Sequence, residues 1–333
     1  MLGAIIGDIV GSVYEWHNLK SVDFELLTPQ NFFTDDSVMT VATARALMGD
    51  RDFGRHYREL GLRYPDRGYG CMFKDWLNGH IHGPYNSFGN GSAMRVSPVA
   101  YAARTLQEAL ELAKASAEVT HSHPEGIEGA QAVAAAIFWA RTGMKADAIA
   151  AELERRHSYN FRKPVEEIRR TNRFDETCAG TLPVVLACVF QSTSFEDCLR
   201  LAVSCGGDSD TIAAIAGSIA EPLFGIPEAL ESRIHSYLPA ELLGEVRKFR
   251  DRFMQKLPRP SYTTFKERAD ELAPYLLESR WFSMTYMLIP GVLAKVDTLI
   301  EEMSRYEEPD DGAYVAELLG KLKVLRGQFK RIR

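Results

Sequence analysis

The sequence predicts an all-α protein. Apolar residues recur at helical spacing through most of its 333 residues, and alanine is abundant inside those runs. No stretch sustains the apolar/polar alternation of a half-buried strand. Two acidic clusters, Thr34-Asp35-Asp36 and Gly206-Gly207-Asp208-Ser209-Asp210-Thr211, each sit where such a run begins.

In chain order, helices are expected over 2–14, 36–48, 106–120, 126–142, 145–156, 178–191, 195–204, 210–221 and 240–256. Segment 126–142 (GIEGAQAVAAAIFWART) is so rich in small and apolar residues that it belongs at the centre. So does 210–221 (DTIAAIAGSIAE), whose Ala and Gly allow close packing. The run Pro183–Phe190 resembles a strand in composition, but its length and Ala content favour helix. The Gly/Pro/Asn-rich stretch 64–92 reads as a long loop, and long loops inside compact domains are usually functional. A boundary is expected near Leu257-Pro258-Arg259-Pro260, dividing a domain 1–257 from a helical appendage 258–333. The appendage carries an aromatic, charged stretch at 262–282, an amphipathic segment at 290–304 and a basic end. That end could touch a protein or nucleic acid, although a solvated helix C-terminus complementing the macrodipole explains it better.

Composition narrows the function. A hydrophobic fraction of 46% suffices for a buried core, and a net charge of −6 gives no general polyanion-binding surface. The cysteines Cys71, Cys178, Cys188, Cys198 and Cys205 show no zinc-type spacing. Cys178 and Cys188 lie in an apolar stretch as core thiols, which implies a reducing, cytoplasmic setting. The apolar N-terminus lacks a basic leader and is interrupted by Asp8. No run reaches the roughly 18 apolar residues of a membrane span.

The acidic clusters carry the chemistry. Asp35, Asp36, Asp208 and Asp210 with Thr34 and Thr211 are hard oxygen donors, suited to Mg²⁺ or Mn²⁺ rather than zinc. A lone Thr-Asp-Asp is usually a helix cap. Two glycines followed by Asp-x-Asp-Thr exceed what a cap needs. Carboxylates converging on one point repel unless cations lie between them, so the pair reads as a dinuclear hydrolase site. Glu15, placed at the end of helix 2–14, would emerge beside the first cluster. Asp8, mid-helix among apolar residues, needs a partner, and an arginine or the backbone is expected before a metal. The turn Gly89-Asn90-Gly91-Ser92 leading to Arg95 could cradle a diphosphate on free N–H groups or simply start a helix. His121 could donate to a phosphate or a ribose hydroxyl, or serve as a cap; His80 and His82 have no assignable role.

These motifs, in this order, resemble the ADP-ribosylglycohydrolase family, which includes the dinitrogenase reductase-activating glycohydrolases. The resemblance runs through GAIIGDIVGSVYE, FTDDSVMT, GNGSAMRVSPVA, THSHPEGIEGAQA and CGGDSDTIAAIAGSIAE, within residues 1–250. It implies one large orthogonal α-helical domain with two Mg²⁺ or Mn²⁺ ions in a cleft, and hydrolysis of the bond between ADP-ribose and an acceptor. Carried over position by position, Thr34, Asp35, Asp36, Asp208, Asp210 and Thr211 match metal ligands. Glu15, Asp36 and Asp210 match the catalytic acids, and Gly89, Asn90, Gly91, Ser92, Arg95 and His121 match ADP-ribose-binding positions. The competing expectations are a weakly catalytic ADP-ribose-binding regulator and a dinuclear phosphohydrolase acting on a nucleotide diphosphate.

Overall fold

The structure is a computed structural model that describes residues 1–254 and scattered positions between 299 and 323. The chain divides into two compact units, Met1–Met254 and Gln255–Arg333. The described residues form α-helices and no strand; an isolated antiparallel bridge joins Gly89 to Thr177.

Two helices make the axis of the first unit. Every residue of α1 (Leu2–Gly11) is buried, and α1 packs along α13 (Ser209–Phe224). The contact is this close because Gly3, Gly7 and Gly11, four apart and therefore on one helical face, meet the α13 backbone directly. A Cβ on Gly7 would stand 2.0 Å from the Ala213 carbonyl oxygen, and one on Gly3 would stand 2.2 Å from that of Gly217. The stripe lays Asp8 against the first turn of α13.

The α2 helix (Asp35–Met48) begins at Thr34, whose Oγ1 accepts from the Asp36 N–H at 3.3 Å. It packs on α1, α3 (Phe53–Arg63), α6 (Ser97–Ala102) and α15 (Ala240–Phe253). The Ala-rich α8 (Pro124–Arg141) is central, as its composition requires. It contacts α5 (Gly91–Met94), α6, α7 (Leu106–Glu118), α9 (Ala146–Arg156), α11 (Cys178–Gln191) and α13. The Pro183 run is helical, inside α11. The α12 helix (Phe195–Ser204) completes the packing around α13.

Two expectations need correction. The first helix ends at Gly11, where the Ser12 hydroxyl turns back to the Ile9 carbonyl at 2.9 Å, so Glu15 stands in the turn beyond it. The stretch 64–92 contains a helix, α4 (Cys71–Leu77), anchored by buried Phe73 and Trp76. The short helices α10 (Val165–Thr171) and α14 (Glu228–Ile234) each bury only a pair of apolar side chains, too few to create a periodic signal. In the second unit Leu299, Met303 and Leu322 are buried. The stretches 258–298 and 324–333, which hold the expected linker prolines and most of the basic end, lie outside the described residues.

Candidate active site

Asp8 joins α1 to the start of α2. Its carboxylate accepts from the Thr34 N–H at 3.0 Å, the Thr34 hydroxyl at 2.7 Å and the Ser37 N–H at 3.1 Å, with the Ser37 hydroxyl as a fourth donor. Backbone amides and hydroxyls thus satisfy it, and no arginine among the described residues takes part. Burial pushes its carboxyl up to about 6, against the downward pull of those hydrogen bonds.

Asp36 lies between those two donor residues, in the same first turn of α2. Its Oδ2 accepts from the Thr211 hydroxyl at 3.1 Å, while its Oδ1 is buried with no hydrogen-bond partner. An orphaned buried carboxylate oxygen is costly, and it is what a site shaped for a cation leaves behind when only protein atoms are considered. Asp210, in the first turn of α13, is also buried. Carboxylate oxygens of Asp8, Asp36 and Asp210 all lie within 4.8 Å of one another. A second triad, Glu15, Asp208 and Asp210, meets the same criterion, so Asp210 belongs to both. Asp35 belongs to neither among the described residues. It is half-buried, with its N–H on the Arg67 carbonyl at 2.7 Å.

The loop before α13 depends on its glycines. Gly206 and Gly207 adopt φ of 61° and 83°, open to glycine at little cost. Asn18 holds Gly207 twice, accepting its N–H at 2.8 Å and donating to its carbonyl at 3.1 Å. Asn172 donates to the Gly206 carbonyl at 2.8 Å. Asp208 then accepts from the Asn90 side-chain amide at 2.6 Å. Burial, followed by neighbouring carboxylates, raises Asp36 and Asp210 well above the usual range. Glu15 rises to about 7 from burial and from the charges of Asp208 and Glu176, with the Trp16 side chain pulling the other way. Groups this closely coupled titrate as a set. Such mutual repulsion, with all-oxygen donors, fits hard divalent cations.

The glycine loop borders this cluster. The Asn90 N–H donates to the Glu176 carbonyl at 2.7 Å, and the Cys178 N–H to the Phe88 carbonyl at 3.0 Å. His121 is buried against it, its Nδ1 2.8 Å from the Thr120 hydroxyl. Burial drives His121 well below its ordinary pKa, so it is neutral near pH 7. A Cβ on Gly91 would come within 2.9 Å of its Nε2, which accounts for glycine there.

Two residues of the glycine motif, carried over as ADP-ribose-binding positions, turn their side chains inward. Ser92 is fully buried and donates to the Gly126 carbonyl at 2.7 Å. Arg95, 1% exposed, donates to the Ser116 carbonyl and the Thr120 hydroxyl and lies over the Tyr57 ring. Both side chains face the core and hold the loop and the His121 turn in place. His80 and His82 are exposed and belong to no metal-type cluster among the described residues.

The sequence model of the ADP-ribosylglycohydrolase family matches residues 1–269. The chain belongs to this family. Like its family, it is an enzyme, an ADP-ribosylglycohydrolase. It is 27% identical to ADP-ribosylhydrolase ARH3 of Mus musculus, over 74% of this chain and 89% of that protein. It is 26% identical to ADP-ribosyl-[dinitrogen reductase] glycohydrolase of Rhodospirillum rubrum, over 74% and 92%. With ADP-ribosylarginine hydrolase Tri1 of Pseudomonas putida identity is 27%, over 68% and 70%. A solved structure titled ADP-ribosylglycohydrolase-related protein complex superposes with a TM-score of 0.55 at 24% identity, covering 74% of this chain and 93% of the other, which supports the fold.

Within this family frame, sequence reasoning missed Asp8 and Asn90 as parts of the carboxylate cluster. Asp8 could have been found from its place beside the Gly3-Gly7-Gly11 stripe, which forces it against a partner backbone. Asn90 carried no signal beyond its glycine neighbours.

Proposed function

We propose that this enzyme hydrolyses the glycosidic bond between ADP-ribose and an acceptor, releasing ADP-ribose, with two divalent cations held by its two carboxylate triads. The observation that carries the reading is the unpartnered, buried Asp36 Oδ1 where five carboxylates converge. Asp36 and Asp210 with Asp8 would form the inner site, and Asp208, Asp210 and Glu15 the outer one. Thr34, Thr211 and Asp35 supply further oxygens at the edge. When bound, Mg²⁺ or Mn²⁺ would lower the pKa of a water and polarise ribose hydroxyls.

The protein's own residues do the rest. Gly91 opens α5, where the first N–H groups of a helix lack an intrahelical acceptor, and neutral His121 presents Nε2 toward Gly91 and Gly89, a set suited to a diphosphate and its ribose; the Gly89 N–H itself donates to the Ser87 hydroxyl at 3.1 Å. Ser92 and Arg95 position that set from behind. Asn90 ties it to Asp208, so substrate placement and the carboxylate cluster are mechanically linked. Glu15, half-buried and beyond the helix end, is the acid of the outer site placed to move a proton or orient the attacking water. The carboxylates around the reacting carbon would stabilise an oxocarbenium-like state.

The test is release of free ADP-ribose from ADP-ribosylated substrates, followed by chromatography with EDTA, Mg²⁺, Mn²⁺ or Zn²⁺. Release that EDTA abolishes and Mg²⁺ or Mn²⁺ restores better than Zn²⁺ is expected. Release of AMP would mean phosphohydrolysis, and binding without any release would mean a regulator.

A further inference from the structure

Two large aromatic side chains stand in solvent beside the outer triad. Trp16 is 72% exposed and Phe174 41%, and their rings stack at 5.2 Å with an interplanar angle of 23°. Isolated exposed apolar residues need no explanation, but a contiguous stacked pair beside a reactive cluster does.

Their position is fixed from both sides by the Gly206-Gly207 loop. Trp16 lies between Glu15, a member of the outer triad, and Asn18, which clamps Gly207. Phe174 lies between Asn172, which holds Gly206, and Glu176, whose carbonyl receives the Asn90 N–H. The pair therefore belongs to the rim of the carboxylate site, with the Trp16 side chain hydrogen-bonded to Glu15.

Carboxylates gather beside it. Glu15 and Glu176 act on one another as like charges, and Glu176 also acts on Asp208. Asp175 lies between Phe174 and Glu176. The nearby cations are turned onto backbone carbonyls, Arg173 onto those of Arg170, Thr171 and Asn172 and Lys20 onto those of Asn172 and Cys205. Indole and phenyl faces within an acidic rim favour a planar cation over a neutral or anionic group.

We propose that Trp16 and Phe174 form the acceptor platform of this hydrolase, selecting a leaving group that is a planar cation, the guanidinium of an ADP-ribosylated arginine. The proposal rests on the hydrolase reading above. Stacking would orient the guanidinium so that its glycosidic nitrogen faces Glu15, and a serine oxygen would gain nothing from the rings.

The experiment compares ADP-ribosyl-arginine with ADP-ribosyl-serine for the wild type, Trp16→Ala, Phe174→Ala and Trp16→Phe. Wild type should prefer the arginine linkage. Trp16→Ala should lose about tenfold in kcat/KM on it, mainly through KM, and less than about twofold on the serine linkage. Trp16→Phe should recover most of that loss. Binding of free ADP-ribose should be the same in every variant. Independently of turnover, ethylguanidinium should quench tryptophan fluorescence saturably in the wild type and not in Trp16→Phe. Equal losses on both substrates, no loss on either, or a wild-type preference for serine overturns the platform. If neither substrate yields ADP-ribose, the hydrolase reading fails, and the quench still decides the platform: its absence removes it.

Discussion

The two carboxylate triads share Asp210 but differ in almost everything else. Asp8, Asp36 and Asp210 are all buried, and Asp8 is saturated by four donors from Thr34 and Ser37. Glu15, Asp208 and Asp210 include a half-buried acid that stands beyond the end of α1, in a turn. The inner triad is built by helix packing, through the glycine face between α1 and α13. The outer one is built by loops, through the Asn18, Asn90 and Asn172 clamps. A rigid site suits a cation that stays, whereas a loop-built site suits one that must accommodate substrate entry and product release. On the proposed reading, the division of labour follows from which elements carry the carboxylates.

The comparison breaks first at the shared residue. Asp210→Asn should disable both triads, lowering kcat/KM roughly 1,000-fold, since cation stabilisation of a transition state is worth several kcal/mol. Calorimetry with Mn²⁺ should show both binding events weakened; loss of only one would mean that Asp210 does not bridge the sites. Glu15→Gln sharpens the contrast. It should cost about 100-fold in kcat, the scale of a lost general acid or base, while inner-site affinity stays near wild type. Wild-type turnover in Glu15→Gln would remove that residue from the chemistry.

Gly7→Ala attacks the inner triad without touching a ligand. The added methyl would stand 2.0 Å from the Ala213 carbonyl oxygen, so α1 must move off α13. Overpacking of this kind costs about 1–3 kcal/mol. It should separate Asp8 from Asp210, and weaken the inner cation more than the outer. Denaturant unfolding and Mn²⁺ titration check both halves; a stable variant with unchanged affinities would show that the glycine face does not set the spacing.

How far the site could be read in advance follows the same division. Helices α1, α2 and α13 were legible because runs of apolar and small residues announce them, α2 with a capping Thr34 besides, and Asp36, Asp208 and Asp210 were placed with them. The loop-built half was harder. Glu15 reads as the end of a helix until the Ser12 hydroxyl is seen closing α1 early. Ser92 and Arg95 belong to a motif rich in ligand-type residues, yet burial commits them to core carbonyls and a hydroxyl, and only tertiary packing reveals that. Trp16 and Phe174 are far apart in sequence, and no local pattern predicts their stack.

The last expected effect concerns protons in place of cations. Asp8 rises from an ordinary 3.8 to about 6, and Glu15 from 4.5 to about 7. An acid whose folded pKa lies above its unfolded one binds more protons when folded. Its stabilising contribution is therefore present below the unfolded value and is lost as pH climbs through the folded one. The cation-free protein should accordingly lose stability between about pH 4 and 7. Divalent cations replace those protons, so their stabilisation should run the other way: slight at pH 5, where cation and proton compete, and rising toward pH 7.5. At a cation concentration near 100 times Kd the gain is about 2.7 kcal/mol, which for a domain of this size raises Tm by roughly 5–10 °C. Differential scanning fluorimetry with Mn²⁺ against EDTA across that range measures it. Glu15→Gln, with one fewer acid to deprotonate, should show a shallower rise than wild type. A shift that is flat with pH, or largest at pH 5, would mean that the cations do not displace these protons and that the triads are not where they bind.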